Sequence, residues 1–570
     1  MSSSENSATV SPLADMLAGL LNRLSPDSGI DVAAPVAELV AAHAQGHVCL
    51  PLRSQAARRL RSSPLVGKPG DYAPLLLDGA DRLYFARHWH DEHRLAVRLS
   101  AMAADVQPAD AARVRAALDP LFPSANLGQG PDRQKLAAAL AARQRLLVIS
   151  GGPGTGKTTT VVRLLALIAS LSPRPLVMAM AAPTGKAAAR LSESVQKARD
   201  ALPVAEAVRG QLPGQAQTLH RLLGLRPGQA RPRYHAGQPL PLDVLVVDEA
   251  SMIDLELMAR TVDALPPHAR LVLLGDRDQL PSVDAGAVLA DLCGRVAYRP
   301  ATRQWLAEAS GETLPETPDA LGKLADCVML LTHSHRFRAD SGIGELARSV
   351  NAGEGEAAWR VLQEGRFDDI ELRPALDETA LMAGRRDYLQ AIRAGAPLDE
   401  AQAAFGRFMA LAGERRQVAQ INAAMERSLE AEGLKQPGRD WYPGRPVMIA
   451  ANDYGLGLFN GDIGFAVARD EGVRVAFPMP DGEWREFAPG RLPEHDTVFA
   501  MTVHKSQGSE FDEVWLALPD RPGNVLDRPL VYTAITRARR RFVLAGAKPV
   551  WDDAVSRVNV RYSGLPDQLL

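Results

Sequence analysis

Apolar side chains recur at helical spacing in the first part of the chain. After the pair Ser11-Pro12, which is typical of a helix start, they stand at Leu13, Met16, Leu17, Leu20, Leu21 and Leu24. A second helix is predicted over Val32 to Ala44, and the Asp-Gly pair inside "PLLLDGADRLYFARHW" predicts a β-hairpin. Residues 1–120 are therefore expected to form a small, mostly helical N-terminal domain, followed by a Pro- and Gly-rich linker over 119–132.

From Gln134 onward, short apolar strands alternate with helical stretches. The strands include "RLLVIS", "PLVMAMAAP", "DVLVVDE" and "ARLVLLGD", and this βαβ pattern predicts a mostly parallel sheet. A less regular portion is expected over about 292–328. Between about 440 and 500, "RPVMIA", "GFAVA", "VRVAF" and "WREFA" alternate with turn residues, which predicts a small insert resembling a β-barrel, before the α/β pattern returns.

Composition places the chain among ordinary globular proteins. A chain of 570 residues is too long to fold around a single hydrophobic core, so two to four domains are expected. The formal net charge of −2 means that any contact with nucleic acid requires a local basic groove. No apolar run reaches membrane-spanning length, and "MSSSENSATV" lacks the features of a secretion signal. Cys49, Cys293 and Cys327 form no CxxC pair, which argues against a disulfide framework or zinc ribbon and favours a reducing cytoplasm.

The segment "RLLVISGGPGTGKTTTVVRLLALI" predicts a strand, a glycine-rich loop and a helix. It matches the pattern GxxxxGK followed by Thr, in which backbone N–H groups surround phosphate oxygens at a helix N-terminus. Lys157 is expected to neutralise the β- and γ-phosphates of ATP, and Thr158 to ligate Mg²⁺. The predicted loop contacts to ATP are Gly151, Gly152, Pro153, Gly154, Thr155, Gly156, Lys157, Thr158 and Thr159.

Two further apolar strands end in polar side chains. Asp248 and Glu249 follow "VLVV", and because a buried parallel strand ends at the edge that carries the P-loop, they are expected to face it. Asp248 is predicted to hold Mg²⁺ through water, and Glu249 to orient or deprotonate the attacking water. The alternative for Asp248 and Glu249 is that one carboxylate caps a helix and the other is solvated. Gln279, in "GDRDQLPSV", is predicted to sense the γ-phosphate.

The order of these segments resembles that of superfamily 1 DNA helicases over about residues 131–570. The matching segments, in order, are Gln134 with Ala137, the P-loop, "APTGKAAARL" (182–191), "TLHRLLG" (218–224), "VVDEASM", "GDRDQLPSV", "LTHSHRF" (331–337), "TVHKSQGSEFDEV" (502–514) and "VYTAITRARR" (531–540). The resemblance implies an α/β protein with two RecA-like cores, 131–345 and 346–570. The insert at about 440–500 would then be a small, SH3-like β-barrel within the second core.

The same resemblance implies roles for individual residues. Gln134 would recognise adenine, Glu510 would contact the ribose, and Arg336 and Arg537 would act as arginine fingers on the γ-phosphate. Single-stranded DNA would contact Lys186, Thr218, His220, His504, Lys505 and Gln507, although each of these could instead cap a helix or fill a loop. The arginines after the finger, Arg539, Arg540 and Arg541, are expected to be solvated or held in surface ion pairs.

A narrower resemblance is to the alpha subunits of exodeoxyribonuclease V. It is carried by "GGPGTGKTTTV", "VLVVDEASMID", "VMIAANDYGLGLFNGDIG", "GHVCLPL" and "DRLYFARHWHDEHRLA". It implies 5′→3′ translocation on single-stranded DNA at duplex ends during break repair, with RecB-like and RecC-like partner subunits. The N-terminal region would dock to the RecC-like partner. No nuclease constellation in this chain has support comparable to that of the motor.

Two other hypotheses remain. A free-standing helicase of the same branch would carry a longer N-terminal part, whereas about 130 residues precede the motor in this sequence. The second hypothesis is a structural subunit with a vestigial ATP site, and the intact motif residues argue against this hypothesis. The cluster His88, His90 and His93 suggests a metal site, but no cysteine or remote histidine completes it.

Overall fold

The described part of the fold contains four β-sheets, three of which are combined with α-helices. The computed structural model describes residues 12–24, 31–123, 130–226, 229, 231–316, 321–337, 340–479, 482–523 and 525–570. Within these ranges the sheets have four, six, five and five strands, in chain order. The three cysteines are buried free thiols.

The N-terminal domain combines helices with a four-stranded sheet. Its elements are α1 (Pro12–Leu24), α2 (Ala33–Ala44), β1 (Leu50–Pro51), α3 (Ser54–Leu60), β2 (Val66–Gly67), β3 (Leu75–Leu77), β4 (Arg82–Phe85), α4 (Ala86–Ala104) and α5 (Ala111–Leu118). Both predicted helices are confirmed, while Ser11 lies outside the described residues. The predicted hairpin is confirmed as β3 and β4, which pair antiparallel. Of the predicted linker, residues 124–129 also lie outside the described ranges.

The first α/β core is built on a parallel sheet. Its elements are α6 (Arg133–Arg143), β5 (Leu146–Gly151), α7 (Lys157–Leu171), β6 (Met178–Ala182), α8 (Gly185–Asp200), α9 (Glu206–Arg209), β7 (Ala216–Thr218), α10 (Leu219–Leu222), β8 (Val244–Val247), α11 (Leu255–Asp263), β9 (Arg270–Gly275), α12 (Val288–Leu292), α13 (Pro300–Ser310) and β10 (Val328–Leu331). The strand order is β10-β5-β9-β8-β6-β7, with every pairing parallel. The predicted parallel sheet is confirmed.

The expectation of irregular structure over 292–328 is wrong for α13. This helix begins at Pro300, where the fixed φ of proline suits the first helical turn, and it ends at Gly311, whose φ is +77°. Its buried side chains, including Leu306, pack against the first core. The sequence of α13 shows little helical periodicity because only a few of its apolar side chains face the first core.

The second α/β core has its own parallel sheet. Its elements are α14 (Gly342–Ala352), α15 (Gly355–Gln363), β11 (Ile370–Arg373), α16 (Glu378–Arg393), α17 (Leu398–Phe405), β12 (Phe408–Ala412), α18 (Arg415–Ala431), β18 (Ala500–Thr502), β19 (Phe511–Ala517), α19 (Arg528–Thr536), β20 (Ala538–Ala545) and α20 (Lys548–Ser556). The last helix, α21 (Leu565–Gln568), lies outside this core, against α4 and the first core. The strand order is β11-β20-β19-β12-β18, again with parallel pairings.

The insert between α18 and β18 is an antiparallel sheet. It contains β13 (Pro446–Ile449), β14 (Ile463–Arg469), β15 (Gly472–Pro478), β16 (Trp484–Phe487) and β17 (His495–Thr497), in the order β16-β15-β14-β13-β17. The four predicted strands are confirmed. Among the described strand pairings the edge strands β16 and β17 do not join, so a closed barrel stays a prediction.

The last residues of the chain return to the N-terminal domain and the first core. Val48 N donates to the carbonyl of Tyr562 at 2.9 Å. The buried carboxylate of Glu92 accepts from Ser563 Oγ at 2.9 Å and from Gly564 N at 3.0 Å. Leu565, which is 1% exposed, belongs to the apolar cluster that α4 shares with the first core. The tail therefore fastens these two parts of the molecule together.

Replacing Leu565 with Ala should destabilise this junction by about 2 to 5 kcal/mol, because it removes a buried leucine and leaves a cavity. The measurement is the free energy of the first unfolding transition in urea. Val560→Ala is the matched control, since Val560 lies on the same tail but is 59% exposed and its truncation should change stability by only about 0.5 kcal/mol or less. Equal effects of the two changes would contradict a packed tail.

Candidate nucleotide and DNA site

The glycine-rich loop joins β5 to α7 at the carboxyl edge of the first sheet. Gly154 and Gly156 have φ values of +75° and +77°, a region that favours glycine. A Cβ atom on Gly156 would lie 2.5 Å from Nε2 of Gln134, so a larger residue would displace that side chain. Lys157 Nζ donates to the carbonyls of Gly151 at 2.5 Å and Gly152 at 3.2 Å. The lysine thus lies along the loop whose N–H groups would surround phosphate.

Gln134 and the segment after β10 brace this loop. Gln134 Nε2 donates to the carbonyl of Thr155 at 2.9 Å and lies 3.0 Å from His335 Nε2. The backbone N–H of His335 donates to the carbonyl of Gly154 at 2.8 Å. Gln134 therefore contacts the glycine-rich loop, while adenine recognition by it stays a prediction. His335 also supports the loop, and the sequence reasoning missed it.

The paired acids emerge directly after β8. Asp248 N donates to the carbonyl of Ala181 at 2.9 Å, and Glu249 N donates to Asp248 Oδ1 at 2.8 Å. Glu249 has a φ of +51°, an uncommon conformation for a residue other than glycine. Burial raises the pKa of Asp248 to about 6, and the neighbouring Glu249 adds to the shift. A bound cation would stabilise the charged form of these two half-buried carboxyls.

Gln279 follows β9 and is 7% exposed. Its Nε2 donates to Asp276 Oδ2 at 3.1 Å, and the hydroxyl of Tyr532 on α19 donates to the same oxygen at 3.1 Å. Leu280 N donates to Thr533 Oγ1 at 2.9 Å. The loop that carries the predicted phosphate sensor is therefore bonded across the cleft to the second core. Asp276 and Tyr532 were not predicted from the sequence.

Glu510 is the meeting point of three guanidinium groups. Its side chain is 7% exposed and pairs with Arg190 at 2.5 Å, Arg336 at 2.9 Å and Arg539 at 3.1 Å. Burial alone would raise the pKa of Glu510, but the charges of Arg190 and Arg336 outweigh it and hold the pKa well below its usual range. Nη1 of Arg336 is buried and has no hydrogen-bond partner within the described part of the chain.

Arg537 is 2% exposed and ends α19. Its Nη1 donates to the carbonyl of Ser509 at 3.1 Å and its Nε to that of Thr533 at 3.3 Å. Burial lowers the pKa of the guanidinium, while the charges of Glu249 and Glu510 oppose the shift. Arg537 is therefore held by carbonyls of the second core and senses the charge of Glu249 in the first, and its role as a finger stays a prediction.

The arginines that follow are surface residues, as predicted. Arg541 pairs with Glu371 and lies 3.8 Å from Glu513. Arg540 is exposed. Arg539 is 48% exposed and also forms an ion pair, but its partner is the site residue Glu510.

The predicted DNA contacts fall into two groups. Thr218 caps α10 by accepting from Arg221 N at 3.2 Å, and His220 beside it is exposed. Thr218 therefore caps a helix, which was the structural alternative to a DNA contact.

The second group is on α8 and in the loop after β18. Lys186 is half-buried at the start of α8. Lys505 pairs with Asp496 at 3.2 Å, and burial lowers the pKa of the half-buried His504. Gln507 is buried, and its Nε2 donates to the carbonyl of Leu280 at 3.0 Å. Gln507 thus contacts the loop of Gln279.

Two adjacent threonines at the start of α7 differ in exposure. Thr158 is half-buried beside Lys157. Thr159 is exposed and lines a groove of about 490 Å³ with Pro120, Leu121 and Arg163. Because residues 151–156 are not part of that lining, the groove is distinct from the glycine-rich loop. Metal binding by Thr158 stays a prediction.

The histidine cluster of the N-terminal domain is occupied by ring stacking. His88 stacks on His43 with ring centroids 4.3 Å apart, and His93 stacks on Trp89 at 4.7 Å. Nowhere in the described ranges do three His, Cys, Asp or Glu side chains cluster in a way that could hold a metal ion. Within the same ranges, no helix combines the length and the apolar run needed to cross a bilayer.

Comparisons with known proteins match both cores. The AAA domain model matches residues 134–285, and the UvrD-like helicase C-terminal domain model matches residues 497–545. RecBCD enzyme subunit RecD of Mycolicibacterium smegmatis is 39% identical, covering 95% of this chain and 94% of its own. The Haemophilus influenzae RecD subunit is 35% identical, covering 85% and 79%.

Two further proteins are more distant. The ATP-dependent RecD2 DNA helicase of Deinococcus radiodurans is 32% identical. The alignment covers 84% of this chain and 57% of that helicase. Among solved structures, Bacteroides Pif1 bound to single-stranded DNA aligns with a TM-score of 0.40 and 16% identity, covering 74% of this chain and 93% of Pif1.

Binding of single-stranded DNA should weaken above about pH 8 because of Lys186. Burial lowers the pKa of Lys186 to about 8, although the charge of Asp462 opposes the shift and Arg190 adds to it. A phosphate contact favours the charged ammonium, so binding takes up a proton at high pH, and affinity falls by up to about tenfold per pH unit. The measurement is the anisotropy of a labelled oligothymidylate.

Lys186→Arg is the control, because a guanidinium stays charged over this range. The variant should bind with little pH dependence between about pH 7 and pH 9. If both proteins lose affinity with the same slope, Lys186 does not contact the strand.

Proposed function

The chain belongs to the RecD family of RecBCD enzyme subunits, and on this premise we propose that it is an ATP-dependent DNA helicase that acts as the motor subunit of a heterotrimeric exonuclease V. Its substrate would be single-stranded DNA at duplex ends, with 5′→3′ translocation, in processing double-strand breaks for recombinational repair. Its partners would be RecB-like and RecC-like chains, the latter docking on residues 1–120. The observation that carries the proposal is the convergence of groups from both cores at the glycine-rich loop.

Two close approaches to the loop support this convergence. A Cβ atom on Gly152 would lie 3.0 Å from the hydroxyl of Tyr532, which belongs to the second core. A Cβ atom on Gly154 would lie 2.2 Å from Cβ of Arg336. Gly154 therefore has no room for a larger residue and Gly152 little, and arginine and tyrosine side chains border the region where phosphates would bind.

The residues present fit MgATP. The positive-φ glycines form a backbone cradle, and Arg336 Nη1 is a buried donor with no partner in the described part of the chain. Thr158 and Asp248 would hold Mg²⁺, and Lys157 would neutralise the phosphates. Bound MgATP supplies a phosphoanhydride bond whose cleavage provides free energy.

Other residues would act on the reacting atoms. Glu249 would orient the attacking water. Gln279 would hydrogen-bond the γ-phosphate. Arg336 and Arg537 would balance charge that develops during phosphoryl transfer, a contribution worth about 10³- to 10⁵-fold in rate for a single arginine finger.

Conversion of hydrolysis into movement would rely on bonds between the cores. Leu280 N donates to Thr533 Oγ1, Tyr532 donates to Asp276, and Gln507 donates to the carbonyl of Leu280. The Gln279 loop is thus joined to the helix that carries Arg537 and to the segment that carries His504 and Lys505. A change at the γ-phosphate would therefore alter the contact between cores and the predicted DNA surface together.

The alternative of a free-standing helicase is weaker. The RecD2 helicase is 32% identical, and the alignment covers 57% of its length. The RecD subunit of Mycolicibacterium smegmatis is 39% identical, and the alignment covers 94% of its length. A vestigial ATP site is disfavoured because the sequence retains all seven motif residues that hydrolysis would need, namely Lys157, Thr158, Asp248, Glu249, Gln279, Arg336 and Arg537.

Replacing Lys157 with Gln should abolish DNA-stimulated ATP hydrolysis while leaving the fold intact, because the change removes the cation that neutralises the phosphates. The measurement is ATP turnover by the full chain with and without oligothymidylate. Lys197→Gln is the control, since Lys197 is an exposed lysine on α8 that pairs only with Glu193. Turnover that survives in the Lys157 variant would show that this is not the hydrolytic site.

The native mass of the chain, purified from its own cells in mild salt, tests the assembly. Co-elution with two larger chains is expected from the subunit function. A lone 61.3 kDa species that unwinds DNA would instead establish the free-standing helicase.

A further inference from the structure

The helix α8 links the predicted DNA surface to the nucleotide site. Lys186 lies in its first turn and Arg190 lies four residues later, so both side chains emerge from the same face of the helix. Lys186 is a predicted strand contact, whereas nothing in the sequence patterns assigned Arg190 a role. The structure shows where Arg190 points: across the cleft, to the second core.

Arg190 holds two groups of the second core. Its Nη2 pairs with Glu510 Oε1 at 2.5 Å, and its Nη1 donates to the carbonyl of Gly508 at 3.4 Å. A Cβ atom on Gly508 would lie 3.6 Å from Cβ of Ala187, so the same segment packs directly against α8. A displacement of α8 would therefore be passed to Glu510 through Arg190.

Glu510 in turn positions Arg336. Arg190 occupies one carboxylate oxygen, Oε1, and Arg336 shares the other, Oε2, with the half-exposed Arg539. The Glu510 side chain is 7% exposed, so these charge-assisted bonds are shielded from water. Because one amino group of Arg336 is fixed on Glu510, the direction of its second amino group, the buried Nη1 without a partner in the described part of the chain, depends on where Glu510 lies.

We propose that Arg190 is a positioning residue that transmits strand binding at α8 to the nucleotide-site arginine Arg336 through the carboxylate of Glu510. The inference rests on the proposed function as a DNA-dependent ATPase. It identifies a route by which DNA would stimulate hydrolysis: the strand moves the first turn of α8, Arg190 carries Glu510 with it, and Arg336 is aligned.

The alternative is that Arg190 merely clamps the cores together. A clamp would contribute equally to hydrolysis with and without DNA, whereas a coupling residue affects the DNA-dependent part. The discriminating quantity is therefore the ratio of turnover at saturating oligothymidylate to turnover without DNA, measured with the Michaelis constant for ATP in each condition.

Arg190→Met in the full chain should lower this ratio by about tenfold or more, within the range of allosteric coupling, with a much smaller fall in DNA-free turnover. Affinity for the oligothymidylate should change by no more than about threefold, because Lys186 and the other strand contacts remain. Arg190→Lys should restore part of the ratio, since an ammonium can pair with Glu510 without also reaching Gly508. Lys197→Met, which breaks only an exposed pair on the same helix, should leave the ratio unchanged.

Combining Arg190→Met with Glu510→Gln tests the route. If Arg190 acts through Glu510, the double variant should have the same ratio as Glu510→Gln alone. Additive losses would overturn the route, and equal losses with and without DNA would overturn the coupling role. If the unmodified protein shows no DNA stimulation, the proposed function itself fails, and that result is distinguishable because it is seen before any substitution at Arg190.

Discussion

The cleft between the cores depends on charge compensation across it. Glu510 of the second core pairs with Arg190 and Arg336 of the first, and the charge of Glu249 in the first core opposes the lowering by burial of the pKa of Arg537 in the second. A buried charge without a partner is strongly unfavourable, so neither core presents a complete site by itself. Closing the cleft and neutralising its charges are therefore the same event, and a ligand as highly charged as MgATP would act directly on the balance that holds the cores together.

Residues that sequence patterns assign to ligands also bind one another. Gln507 donates to the backbone of Leu280, Thr218 caps a helix, and Arg336 pairs with Glu510. Such bonds are consistent with a motor, because a group that exchanges a protein partner for a ligand converts binding into movement. They also explain why a motif residue can have a structural role, such as capping a helix, and a role in ligand binding as well.

Local patterns predicted the features that are themselves local. The glycine-rich loop, the acids after β8 and the strands of the insert each arise from a strand and the turn that follows it, so a window of ten or so residues contains the signal. Arg190 and Glu510 lie far apart in the chain, and their pairing leaves no such trace, although the four-residue spacing from Lys186 to Arg190 could have marked Arg190. The irregular expectation over 292–328 failed at α13 because few apolar side chains mark a helix that only partly faces a core.

The return of the C-terminal tail was also invisible in the sequence, and it gives the fold a second connection. Arg561 Nη1 donates to the carbonyls of Asp284 at 2.9 Å and Gly286 at 3.0 Å, in the loop that begins with Gln279. Tyr562, the next residue, stacks on His47 of the N-terminal domain with ring centroids 4.8 Å apart. The tail therefore touches both the predicted docking domain and the predicted phosphate-sensing loop. Since that loop is also bonded to α19, a force applied to the N-terminal domain has a short path of direct contacts to the nucleotide cleft.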